Sequence, residues 1–254
     1  MKKIFFYLKV SLIVSILNAY PTQAKALDAK ILTKNNTLEI IFGKNNIKKS
    51  IFAHQLSQAD NRKFDIGDVG KDIFTDIVAI KEFKQNGVKQ CLVITETKND
   101  LFSCHVCAPI VGIALLAKHN NKWIIKDNHQ YVGKIGTFGN APNPKLIKVG
   151  RDNYGLFFES FYTGMGMASS QVYIIAKTNK DYKIVLTDFD FSQDNKGSCG
   201  EDIKVECYKY LSKVDYLKNA KSVTNFLPIN ITTSGKRYNK KDLLEKFSLT
   251  KKYV

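Results

Sequence analysis

"SCHVCAPIVGIALLAKHNNKW", residues 103–123, decides the fold because it reads in two incompatible ways. As a helix beginning at Cys104, it would set a thiol at the positive end of a helix dipole. That is what a thioredoxin-like site needs, since the dipole lowers the thiol pKa. Pro109 suits a first helical turn and Asn120 suits a helix end. As a strand, the same stretch makes Cys104 and Cys107 a staple. The β-branched Ile110, Val111 and Ile113, with Gly112 among them, all disfavour helix. No βαβ unit precedes the cysteines either. The stretch is therefore read as extended, and the pair as a structural disulfide.

Other uses of Cys104-His105-Val106-Cys107 fit less well. A c-type haem requires His directly after the second cysteine, where Ala108 stands. Zinc would take four ligands, drawn from Cys91, Cys104, Cys107 and His105 or His119. An oxidising compartment favours disulfides over such a site. The chain has five cysteines, so one is left over. Cys199 and Cys207 bracket "GEDIKVE" and are expected to close a small loop, which leaves Cys91 as a buried thiol or as partner to Cys104 or Cys107.

The compartment follows from the first residues. Lys2, Lys3 and Lys9 flank the apolar "IFFYLKVSLIVSILNAY", and Ala24 and Ala26 make an A-x-A cleavage signal. The unbroken apolar run from Val10 to Leu17 is far below the roughly 20 residues of a spanning helix. Residues 1–26 are thus expected to be a signal peptide, residues 27–254 a single β-rich domain, and the location periplasmic or secreted, with no transmembrane segment after cleavage. Removing residues 1–26 takes away four lysines and lowers the formal net charge from +16 to +12. The remaining charge is scattered lysine, with arginine only at 62, 151 and 237. Scattered lysine lacks the focused basic face of a nucleic-acid module, so no nucleic acid is expected. An anionic envelope polymer or another envelope protein is the expected kind of partner.

Hydrophobic period two dominates the rest. "DIVAI", "QCLVITET", "KWIIK", "GLFFESF", "QVYIIAK" and "YKIVLTDF" read as strands bounded by turn residues, as does "LEIIF" near the start. Asn86-Gly87 in "KQNGVK" is a strong hairpin signal, because both residues tolerate positive φ. "AKHNNKW" and "AKTNKDY" align Trp123 with Tyr182 at an offset of 59, and similar steps reach Phe64 and Tyr238. Four sheet-like repeats of about 57 residues, propeller-like, would account for this spacing. A β-sandwich or barrel is the alternative. The C-terminal "NKKDLLEKFSL" reads as a short helix or, equally, as a last strand.

Signatures of catalysis are sparse. No G-x-S-x-G, H-E-x-x-H or G-x-x-x-x-G-K-[ST] occurs, and the G-x-G of "YTGMGMASS" lacks the following helix of a dinucleotide loop. Asp65, Asp68, Asp72 and Asp76 precede a strand without the alternate-residue spacing that converges oxygens on calcium. Asp188, Asp190 and Asp194 do alternate, which makes them weak metal candidates, but the EF-hand Gly and Glu positions are not met. No cofactor is expected. The sequence thus predicts an all-β, mostly antiparallel protein that binds a ligand or partner, or is associated with the envelope. The alternative is a periplasmic thiol-disulfide oxidoreductase with Cys104 as nucleophile and Cys107 as resolving thiol.

Overall fold

In the computed structural model, Ile110–His119 is a β-strand, so the thiols of Cys104 and Cys107 precede extended backbone and no helix dipole. The structure describes residues 31–43, 47–48, 51–54, 73–99, 104–202, 204–217, 226–239, 241 and 243–253. The expected signal peptide, Arg62, Phe64, Asp65, Asp68 and Asp72 lie outside the described residues. The described residues are all-β apart from one short α-helix and a single 3-10 turn.

Six antiparallel strands form the first sheet: β1 (Ile47–Lys48), β2 (Ile51–His54), β3 (Ile73–Gln85), β4 (Val88–Asn99), β5 (Ile110–His119) and β6 (Lys122–Lys134). Seven form the second: β7 (Lys145–Gly150), β8 (Asn153–Gly164), β9 (Met167–Thr178), β10 (Asp181–Asp194), β11 (Lys209–Tyr216), β12 (Ile229–Tyr238) and β13 (Leu244–Tyr253). Within each sheet every strand pairs with its sequence neighbour, and two-residue turns join β3 to β4, β5 to β6, β7 to β8, β8 to β9 and β9 to β10. Asn86 and Gly87 take φ of 49° and 78°, and Asn120 and Asn121 take 47° and 61°. Such left-handed pairs match the twist of a two-residue hairpin.

Two sheets replace the four expected repeats. The 59-residue offset has a structural basis for one step only: Trp123 and Tyr182 each follow a tight turn into the last strand of a four-strand meander, β3–β6 and β7–β10. Beyond Tyr182 the chain adds β11 to β13 to the same sheet rather than starting a third. One further reading is corrected, and an open one is decided. "LEIIF" lies in the helix α1 (Lys34–Phe42), not in a strand: the Thr33 hydroxyl accepts from the Asn36 amide at 3.3 Å, and the Asn36 side chain accepts from the Thr33 amide at 2.7 Å. Leu244–Tyr253 is strand β13, not a helix. Asn239 Oδ1 accepts from the Lys241 and Leu243 amides, turning the chain back instead of capping a helix.

Alternation of side chains builds three stacked layers. On β4, Cys91 and Val93 face α1, where they pack with Leu38, Ile41, Ala114, Leu116 and Trp123. Their neighbours Leu92 and Ile94 face the other way, with Val111 and Ile113, into a layer shared with Leu156, Phe158, Tyr173 and Ile175 of the second sheet. The second sheet repeats the trick: Phe157, Val172 and Ile174 point away from that shared layer, into a core with Val149, Leu186, Ile229 and Ile231. The sheets approach closely at β6 and β10, where a Cβ added to Gly133 would lie 2.7 Å from Ile184 Cδ1 and push that side chain's tip aside.

The third core exists because the second sheet curls into a half-barrel. Asp188 on β10 meets Lys251 and Tyr253 on β13, with Lys251 Nζ 3.0 Å from Oδ2 and the Tyr253 hydroxyl donating to it at 3.3 Å. Three strand spacings separate these strands, about 14 Å in a flat sheet. Only curvature brings them into hydrogen-bond range. Asp188 is 4% exposed, and Asp190 N donates to its other oxygen at 3.2 Å. At Lys251, burial pulls the pKa down, but the hydrogen bond and charge of Asp188 more than reverse it, so the net shift is upward.

Lys251→Met strands a buried carboxylate, whereas Asp188→Asn leaves a half-exposed ammonium that water can reach. Urea unfolding is expected to show Lys251→Met as the more destabilising change, by about 2 kcal/mol, below the roughly 3–5 kcal/mol for a fully buried pair because Tyr253 and the Asp190 amide still hold Asp188. A raised lysine pKa gives stability that is complete below the ordinary value of 10.5 and fades as pH climbs through the folded value. The gap between wild type and Lys251→Met should therefore be flat at neutral pH and narrow only in strong alkali. Cys91 gives a second check. It is the free cysteine among the described residues, and burial, with Glu82 adding, pushes its thiol up to about 12. Iodoacetamide at pH 8 should leave the native protein unlabelled at Cys91 and modify it once urea unfolds the chain.

Candidate functional site

An up-and-down meander sends alternate turns to opposite ends of the sheets, and the two ends differ chemically. At one end gather the β4–β5 connection, the segment 135–144, the β8–β9 turn and the loop after β10. Cys104 and Cys107 are bonded to each other here, as are Cys199 and Cys207. Cys107 N donates to Cys104 O at 3.0 Å, so the first disulfide closes a tight exposed turn. Gly139 N then donates to Cys107 O at 2.8 Å, and the His105 ring lies 4.6 Å from that of Phe138. Cys199 and Cys207 close a loop that also carries the Gly200–Val205 bridge, and Gly197 N donates to Gly166 O at 3.0 Å. The "YTGMGMASS" stretch is the β8–β9 turn, with Met165 and Gly166 at φ of 53° and 75°, and runs on into strand β9.

The opposite end holds an open cleft of about 1260 Å³ where the layer shared by the sheets runs out. Its walls come from the β3–β4, β7–β8 and β9–β10 turns. Phe83 and Tyr154, one from each sheet, meet with ring centroids 4.6 Å apart, and Tyr182 adds a third ring. Lys148, Arg151 and Lys177 line the same space against a single lining carboxylate, Asp152. Neither Lys148 nor Arg151 has an ion pair among the described residues, and both are exposed. The walls are latched to one another. Gln85 Nε2 donates across the cleft to Asp152 O, and Asn153 Nδ2 donates to Lys177 O at 3.1 Å.

Behind Lys177 stands a small charged relay between the sheets. Lys177 Nζ donates to Asp127 Oδ2 at 2.7 Å, and Asp127 Oδ1 lies 2.7 Å from His129 Nε2. The His129 contact is a close approach without the alignment of a hydrogen bond. Lys177 also sits 5.8 Å above the Tyr182 ring, and burial, then the Asp127 charge, pushes the Tyr182 phenol up. Asp127 thereby holds the ammonium in place at the cleft wall, and the phenol stays protonated at neutral pH. This constellation was not legible in the sequence, because its members come from β6, β9 and β10 and share no local spacing. The one signal was the Asn-rich or Gly-rich tips, which mark turns but not which turns meet.

The acidic candidates fall elsewhere. Asp188 is held by Lys251 and Tyr253 inside the half-barrel, so it is a structural anion and not a metal ligand. Asp190 gives its amide to Asp188, and Asp194 Oδ1 accepts from Lys196 N at 3.2 Å. Asp76 pairs with Lys34 at 3.1 Å, tying α1 to β3. Among the described residues no three His, Cys, Asp or Glu side chains converge as a metal site, and no helix is long and apolar enough to cross a membrane. No protein-family model matches the chain, and no curated protein or solved structure is detectably similar to it.

Proposed function

We propose that this is a secreted or periplasmic binding protein whose inter-sheet cleft takes an anionic ligand, such as a segment of an envelope polymer or an acidic group of another envelope protein. One observation carries the reading: Lys148 and Arg151 stand unpaired at the mouth of a large cleft, beside Lys177 and three aromatic rings. Exposed cations need no carboxylate partner, but two of them beside Lys177 on the rim of one cleft focus positive potential into it, which favours an anion arriving from outside. Two disulfides among the described residues support an oxidising compartment. The apolar N-terminal stretch with its Ala24 and Ala26 cleavage signal supports export.

The thiol-disulfide oxidoreductase is the weaker reading. Redox-active pairs depend on a positive dipole or a basic neighbour to make the attacking thiolate, and Cys104 has extended backbone after it. Its ring neighbour His105 is turned against Phe138.

Two measurements separate the readings. Cys104→Ser with Cys107→Ser is expected to lower stability by about 2 kcal/mol, the value for a very short closed loop, and to leave anion binding intact. Robust insulin reduction by the wild-type protein, lost in that variant, would overturn the binding role. On a polygalacturonate matrix, the wild-type protein should be retained at low salt and released as ionic strength rises. Lys148→Gln with Arg151→Gln should abolish most of that retention. Undiminished retention by the double variant would place the anion on the general lysine surface instead.

A further inference from the structure

We infer that the ligand of the cleft is a carboxylate-bearing oligosaccharide, bound with its sugar rings against Phe83 and Tyr154 and a carboxylate on Arg151. The inference rests on the anion-binding reading above and narrows it to a ligand class. Three features of the lining carry it. First, a pyranose ring has an apolar C–H face, and half-buried aromatic rings offer the matching surface at low conformational cost. Second, the polar lining is largely amide. Asn86, Gln90 and Asn179 line the cleft, and their side chains make no hydrogen bond among the described residues. A primary amide both donates and accepts, as a sugar hydroxyl does, so the two are complementary in a way that a row of lysines and a phosphate chain are not. Third, the size is wrong for one small molecule. The volume of about 1260 Å³ exceeds the roughly 300–1,000 Å³ usual for a single drug-sized ligand. An open trough of that volume accommodates several linked rings.

Arg151 is the specificity element. It is the described arginine left without a partner, since Arg237 stacks on Phe247 at 4.1 Å and lies 3.8 Å from Glu245. A guanidinium forks onto a carboxylate through two parallel N–H bonds, whereas an ammonium meets it as a point charge. Its place on the β7–β8 turn is fixed, because Gln85 holds the Asp152 carbonyl next to it and Asn153 holds the Lys177 carbonyl beyond. Lys148 and Lys177 then supply charge along the trough without selecting its geometry.

The test is calorimetric titration of the full mature chain with oligogalacturonate and oligomannuronate, their methyl esters, and polyglutamate of matched charge. At least one uronate oligomer should bind, its methyl ester should bind about 10-fold or more weakly, and polyglutamate should bind less tightly than the acid sugar. Arg151→Gln, on an exposed turn where folding is not at stake, should weaken the uronate by about 10- to 100-fold. Tyr154→Ala should weaken it about 3- to 10-fold and leave polyglutamate unchanged, with Tyr154→Phe retaining binding as the control for folding. If polyglutamate binds as tightly as every uronate and Tyr154→Ala changes neither, the sugar assignment fails while the anion site stands. If neither probe binds, or Arg151→Gln changes nothing, the anion site fails with it.

Discussion

The constraint on which this structure depends is the layer of side chains that the two sheets share. Leu92, Ile94, Val111 and Ile113 on one side meet Leu156, Phe158 and Ile175 on the other, each essentially without solvent exposure. Burying each large side chain of this kind contributes about 1.5–3 kcal/mol, and the layer leaves no room for either sheet to slide by one residue. A slip would exchange Leu92 with Cys91 and Ile94 with Val93, moving side chains between two cores of different shape. Every other feature is referred to that layer. The helix α1 covers the outer face of the first sheet, the half-barrel encloses the outer face of the second, and the cleft is where the layer stops.

Much of the architecture was legible in the sequence, for reasons that can be named. The strand assignment of β5 rests on three β-branched residues and a glycine, and the glycine proved to have a positive use. A Cβ on Gly112 would lie 2.5 Å from the Gln130 carbonyl oxygen, so the position demands close approach of the neighbouring strand. The Asn86-Gly87 hairpin, the small loop closed by Cys199 and Cys207, and the leftover Cys91 were all within reach of local rules. What escaped was set by distant partners. In α1, Ile40 and Ile41 are poor helix formers, and the residue three after the cap is Asn36, not the Glu or Gln of the usual capping pattern. Packing of Leu38, Ile40 and Ile41 on Cys91, Val93 and Trp123 outweighs that propensity. In β13, "DLLEKFSL" carries a helix-like spacing, but ten paired positions with β12 decide the outcome.

The same limit explains why the acidic candidates misled and the cleft stayed hidden. Alternation of Asp188, Asp190 and Asp194 looks like ligand spacing only if the strand is regular. The strand carries a bulge between Asp188 and Ser192, which breaks the common face and sends Asp188 alone into the half-barrel. For the cleft, the walls come from turns some 30 residues apart or more along the chain. No window of sequence contains two of them, and only the stacking of the sheets brings Phe83 to Tyr154 or Gln85 to Asp152.

The division of labour between the two ends follows from what each must resist. Connections at the disulfide end include exposed segments that form few apolar contacts, with Val106 78% exposed between Cys104 and Cys107, so covalent closure restrains them where burial cannot. At the cleft end the turns are the two-residue kind, short enough to be rigid without cross-links. Hydrogen bonds between neighbouring walls, Gln85 to Asp152 from one sheet to the other and Asn153 to Lys177 within the second sheet, add the remaining order. A binding wall that is ordered before the ligand arrives loses less conformational freedom on binding. Cross-linking at that end would gain little, because the groups that meet the ligand are side chains on a frame already fixed by the strands behind them.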